Sequence, residues 1–211
     1  MATITELTHK YLSEHPSIKD CLKSNIINYS KLSRKISKEL GLEKKATMEA
    51  ILIACRRYAE QLKGEQARET KIRSLLQKSE LDIKNRIMVA IVDKHFFIEH
   101  LMKIESAIRK QADLFYAIEG TTTYTIITLE KYQDEIKAVF RANLKRLTKD
   151  LALITIKSPE ELEGISGVVD HIYSIFGENG VNIVETMSCW TDTILVISED
   201  DVQKVIKSLK F

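Results

Sequence analysis

Two runs of β-branched and apolar residues stand far apart in the chain. They are Thr121–Leu129 ("TTTYTIITL") and Thr191–Ser198 ("TDTILVIS"). Thr123-Tyr124-Thr125-Ile126 aligns with Thr191-Asp192-Thr193-Ile194 at an offset of 68 residues. Each run closes the same series of patterns. "NRIMVAIVD" and "DLALITIKS" are apolar runs of strand length, about 64 residues apart. Phe97, Leu101, Ile104 and Ile108 follow the first at i, i+4, i+7 and i+11. Ile165, Val168, Val169, Ile172 and Phe176 follow the second, also at helical spacing. "YAIEGTTTYTIITL" then reads as one hairpin, and "VNIVETMSCW" with "TDTILVIS" as another. "EKYQDEIKAVFRANLKRL" and "EDDVQKVIKSLKF" are the closing amphipathic helices. A β-α-β-β-α order occurring twice is a repeat signature. It predicts two ferredoxin-like units, each with helices on one face of an antiparallel sheet, and places Tyr124 and Asp192 at equivalent hairpin positions.

The first 80 residues have another texture. Residues 3–14 and 17–27 predict two short helices broken at Pro16. Tyr29, Leu32, Ile36 and Leu40 recur at helical spacing, and Gly41 supplies a stop. Thr47 reads as the N-cap of a further helix, with Met48, Ile51, Leu52, Cys55, Ala59 and Leu62 on one stripe. Residues 65–80 predict a connecting helix through Ile72, Leu75 and Leu76. The expected fold is therefore α+β. A helical domain (1–64) and a connecting helix (65–82) precede a first unit (83–148) and a second (149–211).

Composition limits the function classes. The 211 residues are 44% hydrophobic and 29% charged, a globular balance. No run approaches the roughly 18 apolar residues of a membrane span, and the start has no apolar signal-peptide core. A cytoplasmic, soluble protein with no membrane partner is expected. Cys21, Cys55 and Cys189 are widely spaced, which predicts buried thiols rather than a disulfide framework or a zinc cluster. Residues 1–80 hold 16 Lys+Arg against 10 Asp+Glu, and residues 81–211 hold 16 against 20. A polyanion partner is thus suggested for the first part alone.

The stretch "GISGVVDHIYSIFGENGVNIVETMS" resembles the ACT domain, the small-molecule sensor module found in the regulatory part of aspartokinases and other amino-acid enzymes. The resemblance covers Leu151–Phe211. It lies in a glycine-containing loop after the first strand, a helix, and "GVNI" leading into the second strand. The first copy matches by element order, and its loop "VDKHFFIEH" has no glycine. What the resemblance implies is a ligand site at an interface between ACT units. Gly164, Ile165, Ser166, Gly167 and Val168 would offer backbone amides to a carboxylate. Asn182, Ile183 and Glu185 of an adjoining unit would receive the ammonium. The resemblance also implies pairing of such units into a homodimer. The alternative for the same residues is purely structural: glycines that turn the chain and an asparagine that caps a loop.

"NYSKLSRKISKELGLEKKATMEAILIACRRY" resembles a winged-helix or helix-turn-helix unit, less specifically. Lys31, Arg34, Lys35, Lys38, Lys44, Lys45, Arg56 and Arg57 are then candidate phosphate contacts on DNA. Glu49 and Glu60 on the same long helix oppose that reading, and a solvated face is the alternative. His95 and His100 flank Glu99, but a spacing of five turns a helix by about 500°, leaving the imidazoles about 140° apart. The zinc-protease pattern needs i, i+4, so no metal or other cofactor is expected. No GxxxxGK[ST], GxSxG or nucleophile with a base is present, which argues against an enzyme. Trp190 and Cys189 sit at a hairpin bend. Two functions stay open. One is an amino-acid sensor coupled to a DNA-binding domain. The other is a protein-interaction subunit that regulates a separate biosynthetic enzyme.

Overall fold

A computed structural model describes residues 2–43, 46–94 and 98–209, and within these not the side chains of 63 and 65–67. The chain forms two compact units, Met1–Lys71 and Ile72–Phe211.

Helices are the regular structure of the first unit's described residues. Its helices are α1 (Ile4–Ser13), α2 (Pro16–Lys23), α3 (Tyr29–Glu39) and α4 (Met48–Gln61); α5 (Lys63–Leu76) begins here. Local chemistry sets the boundaries. Thr3 and Glu6 form a reciprocal capping box at α1, and Pro16 opens α2, where its missing N–H costs nothing. Gly41, at φ +61, ends α3: its N–H and that of Leu42 bond to Lys38 O and Ser37 O, satisfying the last carbonyls. Leu12, Ile36, Ile51 and Cys55 are fully buried between α1, α3 and α4. Met48 and Leu40, expected in the apolar stripes, are 41% and 37% exposed. No strand, and so no β wing, occurs among the described residues of this unit.

The second unit is built on one antiparallel sheet. Its strands are β1 (Glu80–Asp93), β2 (Phe115–Glu119), β3 (Thr123–Leu129), β4 (Leu144–Lys157), β5 (Glu185–Cys189) and β6 (Asp192–Ser198). Helices α6 (Ile98–Arg109), α7 (Gln133–Phe140), α8 (Val168–Glu178) and α9 (Val202–Ser208) alternate with them. The β-α-β-β-α order occurs twice, from β1 to α7 and from β4 to α9. The sheet order is β2-β3-β1-β4-β6-β5, so the two copies join at their first strands.

Both first strands are twice the length one copy requires. Ile87–Asp93 pairs with β3 of its own copy, whereas Glu80–Lys84 pairs with Leu153–Lys157 of the other. Reciprocally, Leu151–Lys157 pairs with β6, and Leu144–Thr148 pairs with Val89–Val92. Each copy thus takes its fourth strand from the other. The crossover falls at Arg86 (φ +58) and Asp150 (φ +57), which kink the strands at matching places. The amide of Arg86 donates to a Glu199 carboxylate oxygen, and that of Asp150 to Glu130 Oε1 at 2.6 Å. Glu130 and Glu199 each follow the last strand of one copy and clasp the kink of the other copy's strand.

Three expectations are corrected here. Residues 144–148 form strand, not the end of a helix, since α7 stops at Phe140 and Arg141 turns the chain at φ +40. The connecting helix ends at Leu76, with strand from Glu80. The hairpin offset is 69, not 68. Ile87 pairs with Leu129 where Leu151 pairs with Ser198, making Thr123, not Tyr124, the equivalent of Asp192. A one-residue slip in a strand reverses its faces. Ile126 lies in the core under α6 and α7, whereas Ile194, its partner at 68, lies on the opposite face of the sheet.

Both sheet faces are buried. Under the helices, Met88, Ala90, Val92, Leu101, Ile104 and Phe140 form one core. Ala152, Ile154, Ile156, Ile172 and Phe176 form another, which Ile72, Leu75 and Leu76 of α5 join. On the far side Ile87, Val89, Ile127, Leu151, Leu153, Ile194 and Val196 make a third cluster at 3% exposure or less. The sheet covers this face by curling. Tyr116 of β2 and Asp192 of β6, four places apart in the strand order, line one cleft.

Candidate ligand site

The loop after β4 is anchored at both ends. Ser158 N–H donates to Thr191 O at 2.9 Å, tying the strand end to the base of the β5–β6 hairpin. A 3₁₀ turn, Glu160–Gly164, tucks Leu162 into the core, and Ile165 N–H closes it on Leu162 O at 3.2 Å. Gly167 then stands at φ +90 as the N-cap of α8, a conformation that side chains disfavour. His171 N–H bonds back to Gly167 O at 3.0 Å, the first hydrogen bond of the helix. Ser166 and Gly167 are exposed. Their amides and that of Val168 donate to no described residue, so the loop presents free donors at a positive helix end. A Cβ built on Gly167 would lie 3.7 Å from Ile72 Cδ1, so α5 borders the loop.

Asn182 is exposed just before β5, and Ile183 packs into the core that Ile165 and Val168 share. These residues and the Gly164–Val168 loop therefore belong to one neighbourhood of one copy. Glu185 does not join them. The adjacent Thr186 shares a 2.8 Å hydrogen bond with Tyr173 of α8, which places Thr186 on the helix side. Alternation turns Glu185 to the curled face, where Arg146 is its charged neighbour. Burial raises the Glu185 pKa above the ordinary glutamate value, and Arg146 pulls it back. A raised folded-state pKa means that this group's stabilisation is complete at low pH and is lost as pH rises from about 4.5 upward. Glu185→Gln should therefore flatten the fall in stability over that interval, measured as melting temperature against pH.

Each copy's outer strand, β2 or β5, has one free edge, because the copies join at β1 and β4. The equivalent first-copy loop includes residues 95–97, so His95 and Phe97 lie outside the described residues.

In the helical unit Lys31, Arg34, Lys35 and Lys38 line one exposed face of α3. Lys35 also meets Glu39 at 3.8 Å. Arg57 is exposed on α4, while the Arg56 guanidinium sits 5.7 Å from the centre of the Tyr29 ring and packs on it. Lys44 and Lys45 lie outside the described residues. Among described residues no helix is long and apolar enough to cross a membrane.

No protein-family model and no curated protein matches the chain. Solved structures do. The aspartate kinase of Clostridium acetobutylicum, described as an allosteric enzyme, superposes with a TM-score of 0.52 at 16% identity over 61% of this chain. The match spans 33% of that enzyme's length, so this chain corresponds in fold to about a third of it. The regulatory subunit of aspartate kinase from Thermus thermophilus gives 0.49 at 11% identity, covering 61% of this chain and 92% of that one. A C-terminal regulatory domain of aspartate kinase from Porphyromonas gingivalis gives 0.47 at 13%, covering 62% and 94%. What this chain shares with the Clostridium enzyme is a fold of mixed helix and antiparallel sheet.

Proposed function

We propose that the chain is a non-catalytic regulatory protein that senses a free amino acid through its ACT-like copies. The observation that carries this reading is the loop around Gly167: three unpaired amides at a helix N-terminus, held by a φ +90 glycine, suit a carboxylate. The fold likeness to an allosteric aspartate kinase supports it. In this proposal the chain divides into a helical domain (1–64), a connecting segment (65–82) whose helix ends at Leu76, and two sensing units (83–148 and 149–211). A homodimer would complete the site, bringing Asn182 of one copy's free β5 edge to the loop of the other. Ligand binding would then shift the population of dimer arrangements that favour it.

The output of the helical domain has two readings. The exposed α3 row of Lys31, Arg34, Lys35 and Lys38 supports contact with DNA phosphates. The exposed apolar residues Ile26 (75%), Met48 and Ile53 support contact with a protein partner instead.

A thermal-shift screen against the twenty amino acids tests the sensing role. A ligand at 100 times its Kd should stabilise the native state by about 2.7 kcal/mol. Gly167→Ala should itself cost about 1–3 kcal/mol, because alanine resists a positive φ, and should weaken binding at least about tenfold in calorimetry on folded protein. No shift with any amino acid would overturn the sensing role, and undiminished binding by Gly167→Ala would remove the loop from the site.

A further inference from the structure

A second polar cavity lies on the curled face of the sheet, away from the Gly167 loop. It is a cleft of about 250 Å³ where the α6–β2 turn of the first copy meets the strands of the second. Its floor is Leu153 and Thr155, which are 2% and 6% exposed. Six charged residues line it; two, Arg109 and Asp113, belong to the first copy's α6–β2 side, and four, Asp82, Lys84, Lys157 and Asp192, stand on the strands. They come from strands that the two copies share, Asp82 and Lys84 from the borrowed half of β1.

These charges are balanced and act on their neighbours only at a distance, Lys84 on Asp113 and Asp82 and Asp192 on Tyr116. None of the four side chains makes a hydrogen bond or close ion pair with a described residue. Other charges at the rim are already engaged. Asp113 is held by Lys131 and Tyr132, and Arg109 by Glu105 Oε1 at 2.7 Å and Phe115 O at 3.1 Å. Asp82 and Lys84 project from one face of β1, about 7 Å apart along the strand. Lys157 and Asp192 are directly opposed on β4 and β6. Two cations and two anions on the strands therefore surround one small cavity over a floor of Leu153 and Thr155. The volume lies below the roughly 300–1,000 Å³ of pockets for drug-sized ligands.

We infer that this cleft binds a small zwitterion, of free amino-acid size and charge, with its carboxylate toward Lys84 and Lys157 and its ammonium toward Asp82 and Asp192. A single anion would meet two aspartates and a single cation two lysines, whereas a zwitterion answers both. This site is separate from the Gly167 loop and needs no second copy of the chain, because one chain supplies every wall.

The test uses the full chain and the twenty free amino acids as probes in a thermal-shift assay, with calorimetry on any that shift it. The expected result is an amino acid whose binding to the full chain has two components in calorimetry, one that Gly167→Ala weakens at the loop and one, at the cleft, that the same change leaves intact. The affinity of the cleft component should fall at least about tenfold in Lys84→Gln and in Asp192→Asn. The N-acetyl and carboxamide derivatives of that amino acid, each lacking one charge, should show a similar loss on unaltered protein. Those derivatives test the charge pairing even where a variant melts early. Undiminished binding by the cleft variants, or by the single-charge derivatives, overturns the inference. So does a response that disappears in Gly167→Ala, which would place the ligand at the loop and leave the sensing role standing. No response to any amino acid overturns both sites.

Discussion

Ile127→Asp should unfold the sheet-bearing unit or destabilise it by at least about 4 kcal/mol, since it strands an unpaired carboxylate in an apolar cluster. Ile127 is fully buried on the side of the sheet that carries no helix. On an open two-layer sheet that side would face water and the aspartate would be tolerated. Here Ile87, Val89, Leu151, Leu153 and Val196 close over it. Urea denaturation followed by far-UV circular dichroism would read the loss. A variant as stable as the wild type would show that the curled face opens in solution.

Phe176→Ala should cost about 3–5 kcal/mol, the range for deleting a buried ring without collapse of the cavity. Phe176 is fully buried in the cluster that Ile72, Leu75 and Leu76 of α5, Ile172 of α8, Val205 of α9 and Ile154 of the sheet share. Neighbours held on several elements relax poorly into a void. Tyr173, one turn earlier on the same helix, is 38% exposed, and its replacement by alanine should cost far less. Equal losses at the two positions, measured by chemical denaturation, would mean that α8 does not pack as described.

Where one face of an element is wet, its sequence was readable. Leu101, Ile104 and Ile108, like Val168, Ile172 and Phe176, follow helical spacing because each helix has a single buried stripe. The strands were legible as strands but not in register. Ile194 to Ile197 are buried on both sides, so no polar alternation marks which residue faces the helices. Similar letters at offset 68 then outweighed the true pairing at 69. The borrowed strand halves were also hidden. Lys84-Asn85-Arg86 and Lys149-Asp150 interrupt the apolar runs like strand ends, yet they are kinks within continuous strands. Leu144 and Leu147 sit three apart, a spacing helical in sequence although both lie in β4. At the loop, the glycine pattern pointed to Gly167, whose φ requires it, while the face taken by Glu185 depended on a neighbour's hydrogen bond to Tyr173.

The exchange of strand halves at Arg86 and Asp150 has a consequence for synthesis. As the chain leaves the ribosome, residues 87–148 supply four strands and two helices of a complete first copy and can close early. Residues 80–84 cannot, since their partners at 153–157 are made 69 to 77 positions later. Until then the nascent chain carries an unpaired strand segment with exposed hydrogen-bonding groups, the kind of edge that invites wrong pairing. Closing so distant a pair is slow, and the last copy to form is also the one that α5 caps. Translation pauses or chaperone binding near residues 150–190 would therefore change yield more than the same events earlier. A break in the chain at the Asp150 kink would leave the first copy with all four of its strands on one piece and the second without the 80–84 segment that completes it.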